Sequence, residues 1–223
     1  MNDVEITVRG SHRVYAASER ATVALTVALE GPSPDSVYAD VAPSARALAD
    51  DVSGLHDPAA GAVTWWSSER LATWATRPWH KEGERPPLVH HARVRFRVKF
   101  RDFAELGRFT ARSIEIPGVD VDDTTWALTE KRREALVAEV RTAAVRDARA
   151  RAQAYADALG LGVVRPVAIA DPGMLGAGGT GDAPPQARFA LASAGGPAGG
   201  PPVSLTPEQI TIEQSVDARF RLA

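Results

Sequence analysis

Hydrophobic and polar positions alternate along most of the first thirty residues. Val4, Ile6 and Val8 fall on one side of an extended segment that Gly10 is expected to end. Alternation resumes from Tyr15 to Glu30. Ala21, Val23, Leu25, Val27 and Leu29 line one face there, with Thr22, Ala24, Thr26 and Ala28 on the other, a second and longer strand. The period then changes. After Gly31-Pro32-Ser33-Pro34-Asp35, residues Val37, Val41, Ala45, Leu48 and Val52 recur at helical spacing. Ser33 or Asp35 therefore caps a helix to about Leu55, with Arg46, Asp50 and Asp51 in water.

Two long strands are predicted next, about Ala62–Trp79 and Leu88–Arg101, joined by a polar loop with Pro78, Gly83, Pro86 and Pro87. Their length predicts a bent hairpin over 62–101 that projects beyond the core. A short helix from Asp102 to about Arg112 leads through Pro117-Gly118 into a strand over Val119–Leu128. Thr129 and Glu130 open the longest helix, which Gly160 stops near Leu159. Leu136, Val140, Ala144, Ala148, Ala152, Tyr155 and Leu159 form its apolar stripe, whose alanines permit close approach to a sheet. Val163–Ala170 reads as a buried strand. Gln209–Leu222 closes the chain as an alternating one, with Ile210, Ile212, Val216, Ala218, Phe220 and Leu222 together.

The order ββαββαβαββ is that of an α+β fold. A mostly antiparallel sheet is packed by two long helices and one short one. The whole chain, 1–223, reads as one domain. Between Pro172 and Pro202 lie 9 of the 18 glycines and 6 prolines. Such a stretch buries too little apolar area to offset its ordering entropy, so 172–202 is expected to be a flexible loop within the domain.

Composition narrows the chemistry more than it directs it. With 223 residues the chain can bury a core without disulfides or metal, and it has no cysteine at all. That excludes a disulfide framework, a thiolate metal site and a cysteine nucleophile. A net charge of −2, from 26 bases and 28 acids, argues against a globally basic nucleic-acid binder. No apolar run approaches the roughly 18 residues of a membrane span. Met1–Glu5 opens directly into alternation without a basic or apolar leader, so cytoplasmic placement is expected; a chain trimmed of its leader would begin the same way.

Candidate catalytic and cofactor motifs fail on their parts. The run Gly176-Ala177-Gly178-Gly179-Thr180-Gly181 lacks the Lys-Ser/Thr of a phosphate loop and the following helix of a dinucleotide fold. No G-x-S-x-G elbow occurs. His90 and His91 are adjacent on a strand and point to opposite faces, and His80 comes near only across the hairpin, so no metal geometry is set. Asp120 and Asp122 share a strand face beside Asp123, without the glycine and spacing of a calcium loop. Neither a cofactor nor an enzymatic activity is therefore expected. A hydrolase or metal enzyme is the outside alternative, requiring His80, His90 or His91 to converge with carboxylates.

The least ordinary feature is a charged strand face. Arg93, Arg95, Arg97, Lys99 and Arg101 alternate with Ala92, Val94, Phe96, Val98 and Phe100. Five like charges on one face repel unless compensated. Either the face tracks a polyanion such as nucleic acid, or facing acids such as Glu213 and Asp217 neutralise it; the net charge favours the acids. Trp65, Trp66, Trp74 and Trp79 crowd the preceding strand. Trp65 and Trp79 are expected to face one way and Trp66 and Trp74 the other, leaving one pair available for protein–protein contact.

Several segments together resemble the SIMPL-domain family, which includes periplasmic immunogenic proteins and is largely of unknown function. They are Val119-Asp120-Val121, Thr125-Trp126-Ala127-Leu128-Thr129, the alanine-repeating helix through Tyr155-Ala156 to Leu159-Gly160-Leu161, and Val167-Ala168-Ile169. Ile6–Gly10, the strand Ala21–Glu30 and the Gly/Pro loop before the last strand fit its ends. Ser18-Glu19 stands where many members carry Pro-Asp. The resemblance implies an α+β fold, homo-oligomeric assembly, a link to stress tolerance, and no catalytic residue to transfer. Its bacterial members are often periplasmic, against the leaderless opening of this chain.

Overall fold

The computed structural model describes residues 4–79, 86–175 and 206–222. The elements run β1 (Glu5–Ala17), β2 (Arg20–Gly31), α1 (Pro34–Leu55), β3 (Val63–Ser68), β4 (Ala72–Thr76), β5 (Val89–Phe100), α2 (Phe103–Ser113), β6 (Val119–Ala127), α3 (Glu130–Ala158), β7 (Val164–Ala170) and β8 (Gln209–Leu222). The fold is α+β with antiparallel sheets, as the alternation predicts. The chain forms two compact units, one over 18–128 and 206–208 and one over 4–17, 129–175 and 209–222.

In the first unit the sheet order is β3-β5-β2-β6, and β4 continues beside β5 where β3 stops. β2 is the central strand because every second residue is aliphatic: Ala21, Val23, Leu25 and Val27 are fully buried. Against them pack Val94, Phe96, Val98 and Phe100 from β5, and Val37, Val41, Leu48 and Val52 from α1. Ser33 caps α1 in a box with Ser36, so the predicted start is where the helix begins. Asp102 caps α2 through the amides of Ala104 and Glu105. α2 buries Leu106 and Phe109, the latter 5.2 Å from Phe100 between ring centroids.

In the second unit β8 lies between β1 and β7, and α3 covers one face. β1 does not end at Gly10; it pairs with β8 without a break from Glu5↔Arg221 to Ala17↔Gln209. Gly10 is required there for another reason. A Cβ on it would strike the Ala144 carbonyl oxygen and the Ala148 amide, so the strand passes directly beneath α3. The buried stripe of α3 is Leu136, Val140, Ala144, Ala148, Ala152 and Ala156. Tyr155 and Leu159, expected on that stripe, are exposed, because burial keeps a strict four-residue step and so winds slowly around the helix. Thr129 caps the helix and Gly160, at φ +67, follows it.

Two strand predictions need correction. The strand expected over 62–79 is two strands, broken at Glu69–Leu71, and both pair with β5. β5 in turn is paired along its length with β2, and the hairpin tip that would project lies outside the described residues. The strand over 163–170 is an edge, with only Val164 buried and Val167 and Ile169 in water. Pro166, which cannot donate to a ladder, suits an edge position. Most of the Gly/Pro segment 172–202 lies outside the described residues, as do His80 and the hairpin tip.

Candidate functional site

The two sheet faces that α-helices leave uncovered treat charge in opposite ways. On the second unit, β1 and β8 interleave acids and bases. Arg9 donates to Asp217 at 2.7 Å and 3.1 Å, Arg13 pairs with Glu213 at 2.6 Å, and Arg219 lies 3.0 Å from Glu5. Asp217 also accepts from the Gly173 amide at 2.7 Å. The Arg9 hydrogen bond, helped by that amide and opposed by desolvation, holds the Asp217 carboxyl below its usual range. Glu213 and Asp217 are thus committed to β1. The expectation that they neutralise the basic face of β5 is not met.

On the first unit the charges are segregated by strand. β5 turns Ala92, Val94, Phe96, Val98 and Phe100 into the core and its bases outward, as alternation requires. Three of the five bases have partners that are not acids. Arg93 lies over Trp74 at 5.3 Å and Lys99 over Trp65 at 5.5 Å, both cation–π contacts. Arg101 donates to the carbonyls of Pro58 and Ala59, each at 2.7 Å. Among the described residues, no carboxylate comes within ion-pairing distance of Arg95 or Arg97.

The acids of this face stand two strands away on β6. Ala24 of β2 is paired with Arg97 on one side and Asp123 on the other; Thr26 is likewise paired with Arg95 and Asp120. The pairing β6 makes with β2 slips by one residue at Asp122, a bulge, so Asp120 and Asp123 share the outward face. Strict alternation puts Asp122, and not Asp123, beside Asp120. As the bulged residue it accepts from the Thr26 hydroxyl at 2.7 Å. Between the two rows runs the small outward set of β2. The resulting depression, about 360 Å³, is lined by Thr22, Ala24, Arg97, Asp123 and Thr125.

The tryptophans border the same face, but not as their alternation implies. Trp66 packs on the core, whereas Trp65 and Trp74 both point outward and are about half exposed. Register explains the change of side: β4 meets β5 one residue out of step with β3, and one residue is enough to reverse a strand's faces. Trp79 lies outside the strands and is 84% exposed. Trp74 stacks on His91, with centroids 5.1 Å apart and planes 11° apart. His91 Nε2 lies 2.7 Å from the Thr76 hydroxyl and Nδ1 lies 3.6 Å from Glu30.

His91 is therefore occupied by neighbours on its own sheet, and His90 is the adjacent residue on the strand. Among the described residues, no group of three His, Asp or Glu side chains is placed to hold a metal ion. Among them also, no helix is long and apolar enough to cross a membrane. The residues that sequence reasoning missed are Thr22, Ala24 and Thr26. Their signal was present, an outward set in which every member is small.

The family model described as SIMPL, protein of unknown function (DUF541), matches the chain over residues 6–220. No curated protein matches the chain.

Proposed function

The chain belongs to the SIMPL family, and we propose that it works as a non-enzymatic, homo-oligomeric scaffolding protein whose contact surface is the outward face of the β3–β6 sheet. One observation carries this reading. Among the described residues, Arg95 and Arg97 have no acid beside them, while Asp120 and Asp123 stand level with them across β2. A soluble surface unconnected with binding gains from interspersed charge, as the β1–β8 face illustrates. Segregated rows instead create a directional field that selects and orients a charged partner. The half-exposed rings of Trp65 and Trp74 add the aromatic rim common in protein interfaces.

Size-exclusion chromatography with light scattering tests the reading. The expected mass at micromolar concentration is a multiple of 23.7 kDa. A single-chain mass at every concentration would overturn it.

A second reading rests on the same arginines, free to contact phosphates along the Arg93–Arg101 strand. A polyanion binder would hold fluorescent single-stranded DNA with an affinity falling steeply as salt rises. The acids of β6 flank that track and oppose it, which is why self-assembly is preferred. DNA binding that survives Arg95→Glu plus Arg97→Glu would remove this alternative.

A further inference from the structure

The outward face has a symmetry that its composition conceals. Number the strands by distance from β2: the bases lie one strand to one side, on β5, and the acids one strand to the other, on β6. Arg97 and Asp123 share the level of Ala24, and Arg95 and Asp120 share the level of Thr26. Now place a second copy face to face, related by a two-fold axis running along β2. That operation exchanges left and right but keeps the level along the strand. It sets Arg97 over Asp123 of the second copy, Arg95 over its Asp120, and the reciprocal pairs on the other side.

Resting on the homo-oligomer reading above, we propose that the occupant of this face is a second copy of the chain, docked about a two-fold axis parallel to β2. Four charge-assisted contacts form at once, and each like-charged row meets its opposite. A two-fold perpendicular to the strands and lying in the interface would instead set the rows base on base and acid on acid, which repels. The central row permits the approach. Thr22, Ala24, Thr26 and Ala28 are short, so nothing on β2 holds the sheets apart.

The available area is adequate. β2 and β5 each span 12 residues. At about 3.3 Å per residue and 4.8 Å per strand, the four-strand face offers on the order of 600 Å² per copy. Both copies together give ~1,200 Å², the lower bound for a specific stable interface. Trp65 and Trp74 lie on the strands beyond the basic row, where they flank the β6 edge of the second copy. A polyanion would satisfy only one of the two rows; a second copy satisfies both.

Two complementary variants decide the matter. Arg95→Glu plus Arg97→Glu makes both docking rows acidic at the levels of Ala24 and Thr26, and Asp120→Lys plus Asp123→Lys makes both basic there. Each alone is expected to be monomeric where the wild type is dimeric, with self-affinity at least tenfold weaker. Mixed in equal amounts, they are expected to form a one-to-one heterodimer, a gain that a misfolded variant could not give. If both variants assemble as the wild type does, the chain is oligomeric through another surface; this docking and the contact face named above fail while homo-oligomeric assembly itself stands. A wild type that is monomeric overturns both, as does one that binds single-stranded DNA only as a monomer.

Discussion

Arg97 and Asp123 stand level with each other on either side of Ala24 and make no ion pair. Two strand spacings separate their backbones, about 10 Å. Arg9 and Asp217, by contrast, are direct neighbours on β1 and β8 and close to 2.7 Å. Opposite charges on adjacent strands join within the sheet, whereas those one strand further apart remain available to a partner. This difference in spacing underlies the contrast between the two uncovered faces.

The Arg9–Asp217 link makes a prediction about acid. A carboxyl more acidic in the folded chain than in the unfolded one contributes stability above its unfolded value, near 3.8, and loses it as pH falls through the lower folded value. Asp217→Asn is therefore expected to lower stability at pH 7 by about 1–2 kcal/mol, the worth of a charge-assisted hydrogen bond. The gap to wild type should narrow below pH 4. Urea unfolding at pH 7 and pH 2.5 measures it, and a gap of equal size at both would contradict the assignment.

Gly10→Ala tests the close passage of β1 beneath α3. The added methyl has to displace helix backbone and not a flexible side chain. Overpacking of this kind costs about 1–3 kcal/mol or more. A lower midpoint in chemical denaturation is expected. Unchanged stability would mean that the helix does not lie against Gly10.

The tryptophans should separate by side. Trp66→Ala removes a ring packed on the core and is expected to cost about 2–4 kcal/mol. Trp65→Ala, at an exposed cation–π pair, should stay within about 1 kcal/mol. Thermal melts of the monomeric charge variants isolate this effect from assembly. Equal losses at both positions would refute the register that puts Trp66 inside and Trp65 outside.

What the sequence made readable were the features fixed by neighbours a few residues apart. Ser33, Asp102 and Thr129 cap the helices they precede, and Gly160 ends the third. The alternating cores of β2 and β5 follow from period alone. What it concealed was single-residue slips. The break at Glu69–Leu71 moved Trp74 to the side of Trp65, and the bulge at Asp122 brought Asp123 level with Arg97. A bulge carries little local signature, because it is set by the partner strand's pairing. The choice of acids failed for a related reason: Glu213 and Asp217 have the right charge, but strand order places them beside β1.

The most direct test of face-to-face docking is a distance across the two-fold axis. The chain has no cysteine, so Glu30→Cys places a single spin label on β2, at the exposed rim of the face and beyond the end of β6 pairing. Double electron–electron resonance on the labelled protein reads the separation between copies. Sheets packed about 10 Å apart about an axis along β2 predict one narrow distribution centred below ~25 Å. A distribution centred beyond ~40 Å, the length of β2 itself, or no dipolar signal at all, would contradict it.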